Sequence, residues 1–543
     1  MRYSRIASGV LCFIGAAIAF EPREATIAST HHDLYTGLVT CREVVESFLA
    51  RIEALNNHTN AILALNPYAL SDADVCDKAL ASNNATYGPL FGIPILLKDN
   101  FDTSFMPTTG ANADMAQSQP TIDAPAVGAF KKAGAIILGK TNLHELALEG
   151  ISVSSLGGQT INPYDSRRTP GGSSGGTGAA IAASFGVFGT GSDTVNSLRS
   201  PASANSLWSL RPTWGLVSRA GIIPISYTQD TIGPIARCVE DLATAITVMA
   251  GIGYDVGDNA TASVPAGVQG TDYAASLTTG SLKGLRFGLL EGFLNRTSSN
   301  ETTPVNDAMS KQVTKLHRVG ATIVPINETL YNATAIVAAL DVQRYEYREL
   351  LTEYLQRPSL SGEHPNSTNE LYASDKFLVL PSGYEYVTTS LVSSTSNATY
   401  DTRLAGIRNL SLALEKTFAL NNLDAIIYPE QKNLVVKIGS PSQSGRNGIL
   451  AALTGTPVVT VPIGYSPVTE TAPDGVPIGM EILGRQWTDE KLLQIAYQIQ
   501  QFGRVRKTPS WAKQQIGARA YESVPSVTPN VANIPDEYPI GEL

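Results

Sequence analysis

Between residues 85 and 254, short apolar runs alternate with helical stretches, and this alternation limits the fold more than any other feature of the chain. "IPILL" (93–97), "AIILG" (135–139) and "VFGTG" (187–191) carry no charged face. A strand with one wet face alternates apolar and polar residues, whereas runs like these need cover on both faces. Helical patterns fall between them near 125–133, from Asn142 onward, and over "TGAAIAASF" (177–185). The pattern predicts an α/β protein with a central mixed β-sheet covered by helices on both faces, an αβα sandwich. Buried-strand patterns return in "AIIYP" (425–429), "VVTVPIG" (458–464) and "IGMEILG" (478–484), followed by a helix over 489–501.

A core built this way comes from two separated blocks, 85–254 and 420–503, inside one domain of 85–510. Between the blocks, 255–400 reads as a peripheral region with long helical patterns (305–318, 334–356) and two strand-like runs, "LRFGLLE" (285–291) and "ATIVPI" (321–326). Residues 20–84 form an N-terminal helical segment, in which Thr40 is a fitting N-cap for an apolar stripe from Val44 to Leu55. Residues 511–543 are a proline-rich tail. With 43% apolar residues, 16% charged residues and net charge −9, the chain can fill a large core and offers no basic footprint for nucleic acid or an anionic membrane.

Residues 1–19 have Arg2 and Arg5, an apolar run, and Ala17-Ile18-Ala19, the layout of a secretory signal peptide cleaved after Ala19. The mature chain is then expected outside the cell and free of the membrane. Asn-x-Ser/Thr acceptors stand at Asn57, Asn84, Asn259, Asn295, Asn300, Asn327, Asn332, Asn366, Asn397 and Asn409, none of them between 85 and 258. Glycans need surface, so the distribution predicts a glycosylated periphery around a bare core. Cys12 leaves with the leader. Cys41 and Cys76 could pair and leave Cys238 as a buried thiol, or all three could be unpaired. Their spacings suggest no metal site.

Three stretches of the bare block carry chemistry. Lys98 ends the apolar run of "FGIPILLKDN", where burial disfavours the ammonium and makes the amine a candidate base. "GGSSGG" places Ser173 and Ser174 between glycine pairs ahead of a small-residue helix. Neither a Walker nor a dinucleotide spacing is present there, which excludes a nucleotide loop. "GSDTVNSLRSPAS" holds Ser197, a candidate nucleophile that needs a base within reach. His144 is the only histidine inside the block, so a Ser197–His144–Asp193 triad is conceivable, although no nucleophile elbow surrounds Ser197. A Ser–Lys arrangement suits Lys98 better, with Lys140 reading as a brace at a helix entry.

Together, "GIPILLKDN", "GGSSGG" and the serine of "GSDTVNSLRSPAS" resemble the amidase signature family, as do "GKTNLHELAL", "LRPTWGLVSRAGIIPIS" and "LTGTPVVTVPIGY". Ser173 lies 24 residues before Ser197, in the family's order and spacing. The leader and sequons make the chain a secreted member, of the fungal type. The resemblance implies the amidase signature fold and hydrolysis of a carbon–nitrogen bond through a serine acyl-enzyme. It makes Ser197 the nucleophile, Lys98 the base, and Ser173, on a cis Gly172–Ser173 peptide, the bridge between them. Backbone N–H groups of Thr194, Val195, Asn196 and Ser197 become the oxyanion hole, with Ser174, Asp193 and Arg199 bracing the loop. It implies no cofactor and no metal, a small-molecule amide as substrate, and allows a homodimer.

The chain departs from the family at Val195-Asn196, where relatives usually carry glycines. Asparagine adopts the left-handed conformation more easily than other non-glycine residues, so the hole can survive while the added side chains narrow the acyl pocket. Two other functions stay open at this point: a catalytically silent binding protein on the same scaffold, and the glutaminase-type subunit of a tRNA-dependent amidotransferase.

Overall fold

The computed structural model describes residues 20–82, 87–503 and 505–543. The leader, Cys12 and Asn84 lie outside these residues. Eleven strands form one sheet: β1 (Ile62–Leu65), β2 (Pro94–Lys98), β3 (Ile136–Thr141), β4 (Phe188–Asp193), β5 (Trp208–Arg211), β6 (Thr231–Ala236), β7 (Arg286–Leu290), β8 (Thr322–Ile326), β9 (Ala425–Pro429), β10 (Val458–Tyr465) and β11 (Pro477–Leu483). They lie in the order β1-β3-β2-β4-β6-β5-β10-β11-β9-β7-β8.

Two parallel groups, β3-β2-β4 and β9-β7-β8, flank a central antiparallel stretch. The sheet is mixed, and helices cover it. Strands β2, β3, β4, β6, β9 and β11 are buried at every residue, as expected for strands covered on both faces. β2 and β4 are neighbours running the same way, with Ile95 opposite Phe188 and Leu96 opposite Gly189. Their carboxyl ends therefore bring Lys98 and Asp193 to one edge of the core, the place where α/β sheets commonly bind ligands. The second block inserts β10 and β11 beside β5, and the intervening region adds β7 and β8 to the far edge.

Three local expectations are corrected. No helix starts at Asn142; the chain makes only a short turn over Glu145–Ala147, with Leu146 and Ala147 at φ 49° and 63°. A helix from Asn142 would use Leu146 N–H for its first internal bond, but that donor goes to Gly110 O at 2.9 Å, while His144 N–H goes to Ser173 O at 3.0 Å. The expected helix over 334–356 is two helices, Ala333–Leu340 and Gln343–Gln356. At the break the Asp341 carboxylate accepts from Gln343 N–H (3.1 Å), and Val342 N–H reaches Gln229 Oε1 (3.3 Å). Cys238 is half-buried rather than buried, and Cys41, Cys76 and Cys238 are all free thiols.

The helix Gly175–Ala182, which follows the double serine, is buried at every residue and packs on the sheet through small side chains. A Cβ on Gly176 would collide with Asn142 O and N. Gly176→Ala is expected to destabilise the fold by about 1–3 kcal/mol through overpacking. Chemical denaturation at constant m-value measures this, and an unchanged midpoint would contradict the packing argument.

Candidate active site

Lys98 is fully buried at the end of β2. Its Nζ donates to Ser173 Oγ (2.7 Å) and Ser192 Oγ (2.8 Å), while Asn100 Nδ2 donates to the same Ser192 hydroxyl (3.0 Å). Burial pushes the Lys98 ammonium down to about 7, although the charges of Asp193 and Asp230 pull the other way. A substantial fraction of this amine is neutral at neutral pH and can accept a proton.

Ser173 follows a cis peptide with Gly172. Its carbonyl accepts from His144 N–H (3.0 Å) and Ser152 Oγ (3.4 Å). Ser174 ties this loop to the next, donating its N–H to Ser197 O (3.1 Å) and its hydroxyl to Ser192 O (3.4 Å).

The turn Thr194–Ser197 is held by its oxygens. Thr194 O accepts from Gln229 Nε2 (3.4 Å), Val195 O from Arg199 Nη2, and Asn196 O from the Arg199 and Ser200 N–H groups (3.0 and 2.8 Å). By contrast, the N–H groups of Thr194, Val195, Asn196 and Ser197 have no protein acceptor among the described residues. Side chains anchor the turn as well: Thr194 Oγ1 donates to Asp230 (2.6 Å) and Asn196 Nδ2 to Glu430 (3.0 Å). Neither Val195 nor Asn196 is left-handed. The left-handed conformation open to asparagine is therefore not used, and the carbonyls of the turn are held by the Gln229 and Arg199 side chains and by backbone N–H groups of Ser174, Arg199 and Ser200.

Beneath the turn, Asp193 accepts from Arg199 (3.1 Å) and Arg211 (2.7 Å), all three fully buried. Burial would raise the Asp193 carboxyl, but the two guanidinium groups outweigh it and hold it down to about 2. With Asp193 engaged in this way, the Ser197–His144–Asp193 triad is not assembled. Burial pushes His144 down to about 4, and its Nδ1 has no partner among the described residues. Lys140 braces the loop after β2 rather than a helix, through Asp99 (3.1 Å), Phe101 O (2.9 Å) and Thr108 Oγ1 (3.0 Å).

A cavity of about 340 Å³ opens above the turn, lined by Thr194–Ser197 and His144 on one side and by Val337, Arg344, Leu380, Tyr386 and Arg446 on the other. Ser197 is 7% exposed there, and its hydroxyl makes no protein hydrogen bond among the described residues. Lys98 and Ser173 are therefore joined directly, whereas no hydrogen bond links the Ser173 and Ser197 hydroxyls. Val195 lines the cavity and packs on the apolar cluster around Leu450 and Ile336. The Asn196 amide points to Glu430 and not into the acyl pocket it was expected to narrow.

Ser192, Asn100, Asp230, Gln229, Arg211 and Glu430 were not singled out from sequence. Ser192 had a signal: with Thr190 it gives β4 a hydroxyl-bearing face at strand period, next to the lysine strand. Asn100 lies two residues after Lys98 in the quoted motif, while Arg211, Gln229 and Asp230 come from later loops and strands of the block and Glu430 from the second block.

Lys98 also costs stability. Its pKa is lower in the folded chain than in the unfolded one, so between about pH 7 and the ordinary lysine value of 10.5 the unfolded chain binds more protons. Stability therefore rises with pH across that window, and the cost is complete below pH 7. Lys98→Met is expected to be inactive yet more stable than wild type at pH 6, by a margin that shrinks as pH rises towards 10. Paired thermal melts across this range check the sign.

Residues 43–493 match the family described as Amidase. One relative, a component of the glutamyl-tRNA(Gln) amidotransferase of Acinetobacter baumannii, is 32% identical over 487 residues, covering 85% of this chain and 92% of its own. A protein of Arabidopsis thaliana named as a probable amidase is 32% identical over 509 residues, 91% of this chain and 92% of its own. Among solved structures, the native peptide amidase from Stenotrophomonas maltophilia superposes with a TM-score of 0.78 at 33% identity, covering 90% of this chain and 98% of that one. The chain belongs to the amidase family and is an amide-hydrolysing enzyme.

Proposed function

We propose that the protein is a secreted serine amidase in which Ser197 is the nucleophile and Lys98 and Ser173 carry the proton. The observation that supports this best is the buried Lys98 amine, poised near pH 7 and hydrogen-bonded to Ser173. Neutral Lys98 takes the Ser173 proton as Ser173 takes that of Ser197, and Ser197 Oγ attacks the amide carbon. The carbonyl oxygen gains negative charge facing the unpaired N–H groups of Thr194–Ser197, where one such donor contributes roughly 3 kcal/mol in comparable hydrolases. As the C–N bond breaks, the proton returns through Ser173 to the leaving amine. Water then attacks the acyl ester along the same proton path and releases the acid.

The cavity joins apolar walls (Val337, Leu380) to charged ones (Arg344, Arg446), which suits a small or medium amide with both apolar and polar parts. Secretion and glycosylation are supported by the leader pattern and by the sequons: Asn57, Asn259, Asn300, Asn327, Asn332, Asn366, Asn397 and Asn409 are exposed and Asn295 is half-buried. A glutaminase-type component of an amidotransferase is the second reading, favoured by the Acinetobacter relative.

Ser197→Ala, Lys98→Ala and Ser173→Ala are each expected to lower kcat/KM on a simple primary amide by roughly a thousandfold or more, without unfolding the protein. Wild-type turnover by Ser197→Ala would refute the assignment, and failure of a fluorophosphonate to label Ser197 in the wild type would favour a silent scaffold. Because the amine works in its neutral form, log(kcat/KM) should rise with about unit slope as pH approaches 7 from below. Glutamine turnover that appears only with partner proteins would support the second reading.

A further inference from the structure

Asn196 stands where the family resemblance leads one to expect glycine, yet the structure accommodates it from two sides. Its Cβ faces Gly448, where any added Cβ would collide with Asn196 Cβ and Val195 O. Its amide leaves the cavity and donates to Glu430 Oε1 at 3.0 Å. Glu430 is 1% exposed and follows β9 directly; its backbone N–H is held by Gly479 O and its carbonyl by Asn447 N–H. The hydrogen bond thus runs from the turn of the first block to a rigid strand end of the second.

The surroundings of Glu430 decide its charge. Arg199 faces it from the helix Arg199–Ala204, Asp193 from β4, Glu481 from β11 and Tyr428 from its own strand. Arg199 and Arg211 supply two positive charges in this buried cluster, and Asp193 and Glu481 supply two negative ones. A third carboxylate would be uncompensated in a site from which water is excluded, a condition that keeps a carboxyl protonated.

We propose that Asn196 and Glu430 form a positioning couple, with Glu430 as the neutral acid, that fixes the donor-bearing turn where glycine would leave it free. The inference rests on the serine-amidase reading. Glu430 does not line the cavity and the Asn196 amide is engaged with it, so both act through the placement of the Val195 and Asn196 N–H groups. Burial first, and then the charge of Glu481, raise the Glu430 carboxyl to about 8, so it is neutral below that pH. Above it, the new negative charge lies behind the turn and opposes the oxyanion that the turn must stabilise. Turnover should then fall.

The test compares wild type, Asn196→Ala, Glu430→Ala, Glu430→Gln and the double alanine variant on one primary amide from about pH 6 to about pH 10. Glutamine is the uncharged analogue of a protonated glutamate and keeps an acceptor for Asn196. Glu430→Gln is expected to retain wild-type kcat near pH 7 and to lose the alkaline decline. Asn196→Ala and Glu430→Ala should each lower kcat by roughly tenfold to a hundredfold with little change in KM, and the double variant should be no worse than either. An alkaline decline that persists in Glu430→Gln, or additive losses in the double variant, would overturn the couple. Should Glu430→Ala fail to fold, Asn196→Ala and Glu430→Gln still decide it. A wild type with neither amide turnover nor fluorophosphonate labelling would instead defeat the serine-amidase reading, and this inference with it.

Discussion

Asp193, Arg199, Arg211 and Glu481 make a fully buried ion cluster on which the geometry above it depends. Arg199 alone joins four places: the Asp193 carboxylate, Glu481 on β11 (2.8 Å), Val195 O in the turn and Gly448 O (3.0 Å). Arg211 adds Gln229 O (2.7 Å) and so reaches the loop that supports Thr194. Buried ion pairs rarely add net stability, because desolvation offsets the attraction, but removing one partner strands the rest and typically costs about 3–5 kcal/mol. The cluster thus gives one arrangement of the turn rather than extra stability. With every carbonyl of the turn engaged, its N–H groups remain available, which is the condition for receiving a developing negative charge.

Lys98 depends on the same frame from the opposite side. A lone ammonium in a dry core is disfavoured, and here the counter-charges of Asp193 and Asp230 recover only part of the loss. Its direct partners are two neutral hydroxyls. That combination leaves an amine basic enough to take a proton and acidic enough to return one. Lys140, by contrast, has a carboxylate at hydrogen-bond distance, Asp99 at 3.1 Å. Two buried lysines on adjacent strands thus have different partners, a carboxylate for Lys140 and two hydroxyls for Lys98.

The intervening region 255–400 carries no catalytic motif, yet it completes the site. Its helix break at Asp341-Val342 docks on Gln229, which also supports Thr194, and Val337, Arg344, Leu380 and Tyr386 wall the cavity. The segment expected from sequence to be peripheral and also to line the acyl pocket thus faces the cavity from which specificity would arise.

Strand positions and the burial of Lys98 were legible in the sequence because they rest on local signals, whereas the roles proposed for Ser173 and Ser197 came from the family resemblance. Fully apolar runs must be strands covered on both faces, and a lysine at the end of such a run must be desolvated. Those signals involve neighbours a few residues apart. Glu430, Gly448, Asp230 and Arg211 gave no such sign, since each acts on the turn only after the sheet has brought distant segments together; Asn196 and Glu430 are 234 residues apart. Conformation near the site escaped for the same reason. Asn142 opens a segment of helical pattern, but Ser173 O and Gly110 O claim backbone donors there, and Asn196 does not use the left-handed conformation open to asparagine. Local sequence determined which residues could do chemistry here, while their charge states and the orientation of the turn were decided by long-range burial and hydrogen bonding.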